Sequence, residues 1–214
     1  MPPSVAACTV NRLCGSGMDA MNIAARAIKG GEAHCIIAGG VESMSRAPLV
    51  MAKSSTAFGR DQVLFDTTMG WRFVNKKLEE KYGVEAMPVT AENVADEFGI
   101  SREDQDRYAL NSQRKAGLAQ DSGFFSSEII KVTIPQRRKE SLLFEVDEHL
   151  RSDTTLAGLS KLSTPFKVNG SVTAGNASGI NDGSCAMIVA SEMGIRDQAL
   201  TPRARVIATT VVGL

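Results

Sequence analysis

The run Thr9-Val10-Asn11-Arg12-Leu13-Cys14-Gly15-Ser16-Gly17-Met18-Asp19-Ala20 constrains the chain more than any other part of it. Residues 5–10 are small, apolar and partly β-branched, which predicts a short buried strand. From there Met18, Met21, Ala25 and Ile28 share one helical face, and Gly30-Gly31 ends the pattern. Cys14 then falls in the turn between strand and helix, beside the unpaired N–H groups of the first helical turn. Those groups carry the positive end of the helix dipole and favour a thiolate over a thiol. Gly15 and Gly17 remove side chains that would keep a substrate from the sulfur. The competing explanation is a buried cysteine in a turn of small residues, a common place for a free thiol.

Size and charge narrow the classes. With 214 residues the chain has enough material for one good core or two small ones. Its 24 lysines and arginines balance 24 aspartates and glutamates, which argues against a general nucleic-acid or membrane surface. No apolar run approaches a membrane span, and Met1-Pro2-Pro3-Ser4 lacks the features of a signal peptide. Cys8, Cys14, Cys35 and Cys185 form no CxxC pair and no disulfide scaffold, so a reducing cytoplasm is the simplest compartment. A cysteine nucleophile needs a base close by, yet His34 and His149 are the only histidines. His34 suits a helix C-terminal contact, and His149 a polar loop.

Four stretches, in order, carry a resemblance. They are Asn11-Arg12-Leu13-Cys14-Gly15-Ser16-Gly17, Gly39-Gly40-Val41-Glu42-Ser43-Met44-Ser45, Thr90-Ala91-Glu92-Asn93-Val94-Ala95, and Thr173-Ala174-Gly175-Asn176-Ala177-Ser178-Gly179-Ile180-Asn181-Asp182-Gly183. Together they resemble the thiolases, which make or cleave 3-oxoacyl-CoA through an acyl-cysteine. Asp66-Thr67-Thr68-Met69-Gly70-Trp71-Arg72-Phe73 looks most like the branch that cleaves 3-oxoadipyl-CoA. The resemblance implies an α/β thiolase-like fold, partial here, with a parallel-rich mixed sheet and flanking helices. Residues 1–48 and 181–201 would belong to the first lobe, 49–180 to an inserted loop domain for coenzyme A and oligomer contacts, and 202–214 to the first strand of a second lobe.

It also implies site residues. Cys14 would be the nucleophile, and Met87 would lie at the acyl end of the substrate. Arg151 would contact the adenine-ribose end of coenzyme A, and Phe166, Ala174, Ser178 and Gly179 would flank the pantetheine arm. Coenzyme A is a substrate, and no metal or redox cofactor is implied. Many short-chain thiolases have a histidine before that methionine; Ala86 stands here, which argues against a simple acetoacetyl-CoA preference. The family's Gly-His-Pro stretch and second catalytic cysteine are not in these 214 residues, so the chain is expected to correspond to the middle half of a thiolase and to be inactive alone. Family members are homodimers or homotetramers.

The remaining residues read conventionally. Cys35-Ile36-Ile37-Ala38 predicts a buried parallel strand closing a βαβ unit, with a tight turn at Gly39-Gly40 and Glu42. Residues 46–88 predict an irregular insertion with one short helix (74–81), in which Phe58, Phe65, Trp71, Phe73 and Tyr82 need burial. Met51, Met69 and Met87 suit either an adaptable acyl pocket or an irregular core. A helix from Thr90 stops at Gly99, and a longer one opens at Ser101 with charges on a solvated face. A strand over 128–134, the basic turn Gln136-Arg137-Arg138-Lys139, a helix over 155–162, and strands over 185–190 and 205–212 around a helix (191–199) complete the pattern. The basic turn suits solvent or coenzyme A phosphates, and Arg151 suits an ion pair with Asp147 or Glu148 as well as a nucleotide. Asn176, Asn181 and Asp182 suit bonds to loop backbone.

Two rival functions remain open at this point. One is an acyl-CoA-binding or partner-pairing chain without turnover. The other is a dinucleotide-binding domain, because Gly15-x-Gly17-x-x-Ala20 with Glu42 meets that fingerprint, although Asn-Arg-Leu-Cys lengthens the turn.

Overall fold

A computed structural model describes residues 2–212. The elements run α1 (Ser16–Lys29), β1 (Cys35–Glu42), β2 (Leu49–Met51), β3 (Leu64–Asp66), α2 (Lys76–Tyr82), α3 (Met87–Phe98), α4 (Arg102–Asp121), β4 (Val132–Ile134), β5 (Leu142–Phe144), α5 (Leu156–Leu159), β6 (Gly183–Ala190) and α6 (Glu192–Asp197). They form two compact units, one of residues 2–43 with 182–212 and one of Met44–Asn181.

In the first unit α1 packs against the β1–β6 pair, and its buried apolar residues are Ala24, Ala25 and Ala38. The pair is antiparallel, with Cys35 opposite Ala190 and Glu42 opposite Gly183. At Gly39 a Cβ would come 2.4 Å from the Cys185 carbonyl oxygen, so only glycine allows this approach. Ser191 caps α6 by accepting from the Gly194 N–H. His34 is tied to that cap: its carbonyl accepts from the Ser191 N–H at 3.0 Å, and Nδ1 lies 3.1 Å from Ser191 Oγ. The expected C-terminal contact of His34 is thus an N-terminal one, because a helix start offers free N–H groups to a carbonyl.

The α/β class stands, but the pairing sense differs from expectation. Among the described residues all three sheets are two-stranded and antiparallel, and β1 lies mostly exposed where burial was expected. Residues 5–10 and 205–212 are not strands. A strand exists by its ladder bonds, and an extended apolar segment that meets no neighbouring strand stays irregular whatever its propensity.

In the second unit α3 ends at Gly99 in the left-handed region (φ 62°), and Ser101 caps α4 by accepting from the Asp104 N–H at 3.1 Å. Pro88 opens α3 ahead of the expected start at Thr90. The strand expected over 128–134 shortens to β4, which makes a hairpin with β5, and the basic residues Arg137 and Arg138 form its exposed turn. The aromatic residues expected in a core are mostly outside it: Phe58, Trp71, Phe73 and Tyr82 are exposed, and Phe65 is half-buried. Their segment carries only the short β2–β3 pair and the two-turn helix α2, too little second layer to cover large rings. Phe73 instead meets Phe65 edge-on, with centroids 5.4 Å apart. Nearby, the Ser54 and Ser55 hydroxyls donate to Asp61 at 2.6 and 2.7 Å and pull its carboxyl down to about 2. Among the described residues no helix is long and apolar enough to cross a membrane.

Candidate active site

Cys14 is exposed and stands one residue before the N-cap of α1, Gly15. That excludes the buried-cysteine explanation. The turn that presents it is closed by local bonds: Gly15 N–H to the Arg12 carbonyl, Ser16 N–H to the Leu13 carbonyl (both 3.0 Å), and Leu13 N–H to Asn11 Oδ1 at 2.8 Å. Leu13 takes a left-handed φ of 48°, a conformation a branched side chain holds only when its neighbours impose it. Arg12 imposes it twice. Its N–H donates to Ser16 Oγ at 2.8 Å, and its Nε meets Asp19 Oδ2 at 3.0 Å, one helical turn into α1. The antiparallel β1–β6 pair leaves no βαβ unit around this turn, so the dinucleotide alternative loses its structural basis.

The other six residues all belong to Met44–Asn181. Met87 is exposed at the start of α3 and lines a hollow of about 330 Å³ with Thr90, Ala91, Val94, Ala95, Ile100 and Gln105. Met51 and Met69 are exposed and do not line it. Arg151 is exposed, its N–H donating to Gln113 Oε1 at 2.9 Å, and it makes no ion pair with Asp147 or Glu148. Phe166 is half-buried; Ala174, Ser178 and Gly179 are exposed on one loop. That loop meets the turn bearing Arg151, because a Cβ on Gly179 would lie 2.3 Å from the ring of His149.

Two buried carboxylates behind this loop are the feature that sequence reasoning missed. Glu92 of α3 accepts from the Ser171 N–H at 2.9 Å, the Val172 N–H at 2.7 Å and the Ser171 hydroxyl at 3.0 Å. Asp106 of α4 accepts from Asn176 Nδ2 at 3.0 Å and pairs with Arg102 at 2.8 Å. Asn176 also holds the loop to itself, accepting from the Thr173 N–H and donating to the Ser171 carbonyl, as expected of it. The charges of α4 are therefore not all solvated. The available signal was position: Asp106, Leu110, Gln113 and Gly117 fall on one helical stripe, and an acid on such a stripe needs a partner.

Burial pushes the Glu92 carboxyl up, but the Val172 and Ser171 N–H groups, the Ser171 hydroxyl and the Lys167 charge outweigh it and hold it below the ordinary carboxylate range. A carboxyl held lower in the folded chain adds stability that is present above its unfolded value and lost as pH falls through the folded one. The loop is thus expected to loosen below about pH 4. Glu92→Gln should flatten that acid limb, as acid denaturation followed by circular dichroism would measure.

Residues 1–193 match the family described as thiolase, N-terminal domain, and the chain belongs to the thiolase family. Over all 214 residues it is 60% identical to a beta-ketoadipyl-CoA thiolase of Acinetobacter baylyi, covering 53% of that protein. It is 53% identical, with the same coverage, to the 3-oxoadipyl-CoA/3-oxo-5,6-dehydrosuberyl-CoA thiolase of Escherichia coli. The chain spans about half the length of the curated relatives it matches. Among solved structures, human mitochondrial 3-ketoacyl-CoA thiolase in complex with CoA aligns with a TM-score of 0.77 and 39% identity, over 90% of this chain and 47% of that one. The fold is accordingly a partial thiolase-like one.

Proposed function

We propose that this chain is the cysteine-bearing part of a thiolase that cleaves 3-oxoacyl-CoA, of the 3-oxoadipyl-CoA class, to acetyl-CoA and a shortened acyl-CoA. The observation that carries the reading is an exposed Cys14 just ahead of α1, in a chain related over its whole length to proteins named for that reaction. The Cys14 thiolate adds to the ketone carbon, and its backbone N–H donates to the oxyanion that forms. The bond from that carbon to the neighbouring one then breaks. Its electrons leave with acetyl-CoA, which takes up a proton, and the acyl group stays on Sγ as a thioester. The thiol of free coenzyme A attacks this thioester and restores Cys14.

In the same proposal Met87 meets the acyl end, Arg151 the adenine-ribose end, and Phe166, Ala174, Ser178 and Gly179 the pantetheine arm. The exposed turn around Arg138 is available to phosphates. Coenzyme A is a substrate, a reducing cytoplasm is the setting, and assembly with other thiolase chains is the expected partnership. A haloacyl-CoA tests this directly, because it needs only a bound coenzyme A and a nucleophilic sulfur. Peptide mass spectrometry is expected to find Cys14 alkylated at least about tenfold faster than Cys8, Cys35 and Cys185, with protection by free coenzyme A. Equal labelling of all four, unprotected, would sink the proposal.

A further inference from the structure

Among the described residues, the most deeply buried polar side chains serve one loop. Glu92 is 1% exposed, Asp106 2% and Thr173 0%. That loop divides by direction. Val172 and Thr173 are buried and Ser171 half-buried, whereas Ala174, Ser178 and Gly179 face outward. The inward part has given its N–H donors to Glu92 and Asn176. The approach is close enough to dictate Gly170, where a Cβ would lie 2.4 Å from Glu92 Oε1 and 3.0 Å from the Lys167 carbonyl. A run of small residues has many backbone conformations and few side chains to lock one of them. A ligand that lies along such a run bears the cost of ordering it, unless something else has ordered it first.

We propose that Glu92 is a positioning residue for coenzyme A: its carboxylate fixes Ser171 and Val172, so that Ser178 and Gly179 meet the pantetheine arm in one conformation. Asp106, through Asn176, anchors the same loop from α4. This rests on the coenzyme A site proposed above. An amide at position 92 keeps the shape but loses the charge and one acceptor, and turns an N–H₂ group toward the loop donors.

Calorimetry on the 214-residue chain with coenzyme A, pantetheine and adenosine 3′,5′-bisphosphate separates positioning from general support. Glu92→Gln is expected to weaken coenzyme A and pantetheine about tenfold and to leave the bisphosphate within about twofold. Gly170→Ala, which drives a methyl group against the carboxylate, should give the same pattern and carries the test if Glu92→Gln does not fold. Amide exchange on the unaltered chain needs no variant. Ser171 and Val172 should be protected with or without coenzyme A, and Ser178 and Gly179 only with it. Unchanged affinity for coenzyme A and pantetheine, equal losses for all three probes, or free exchange at Ser171 and Val172 would each overturn the proposal. An unaltered chain that binds no coenzyme A, while Ser171 and Val172 stay protected, would overturn the coenzyme A site and the positioning role with it, leaving the carboxylate clamp as a purely structural feature.

Discussion

Given 3-oxoadipyl-CoA and coenzyme A, the 214-residue chain is expected to release acetyl-CoA only near background, at least ~10²–10⁴ below a thiolase whose cysteine has its base. The reason is local chemistry at Cys14. Thiolysis requires a proton to leave one sulfur and another to reach the departing carbon. His34, in the same unit, is held by Ser191 through both its ring and its carbonyl. His149 lies against Gly179 in the other. A coupled acetyl-CoA assay showing thiolase-like turnover by this chain would refute the expectation and make one of these histidines the base. Haloacyl-CoA labelling, which needs no proton shuttle, should persist in the same preparation.

Gly39→Ala is expected to cost about 1–3 kcal/mol, because the new methyl group would meet backbone across the sheet rather than a side chain able to swing away. The obstacles are the Cys185 carbonyl oxygen at 2.4 Å and Ala186 Cα at 3.0 Å. Gly40→Ala supplies the control: nothing lies within 4 Å of a Cβ there, and the change should stay within ~0.5 kcal/mol. The first unit has few buried apolar residues, so its share of the penalty is large. Thermal unfolding of the two variants checks the pair, and equal midpoints would contradict the packing described at Gly39.

What could be read from the sequence follows how local each cause is. Helices α1, α4 and α6 are legible because their signals sit within the element: the helical spacing of apolar residues from Met18 to Ile28, although Met18 is exposed and Asp19, Asn22, Ala24 and Ala25 are the buried ones, and the capping serines Ser101 and Ser191. The place of Cys14 in a turn ahead of α1 was legible for the same reason, since that turn is built from its immediate neighbours. Pairing was not. Whether β1 lies parallel or antiparallel to its partner depends on residues 183–190, far along the chain, and apolar runs such as 5–10 look alike with or without a partner. Glu92 was hidden more deeply, because its partners Ser171 and Val172 are 79 and 80 positions away. An acid in an amphipathic helix reads as solvated until the loop that meets it is known.

The ladder between residues 35–42 and 183–190 also sets an order of events during synthesis. At about 5–20 residues per second, β6 leaves the ribosome on the order of ten seconds after β1. Throughout that interval β1 has both edges open, a template for any passing strand. Closing so long a loop is entropically costly unless Met44–Asn181 has already collapsed and drawn its own ends together. Folding of the unit that carries Cys14 should therefore wait on the other one, and substitutions that slow collapse of Met44–Asn181 should appear as aggregation through the exposed β1 strand.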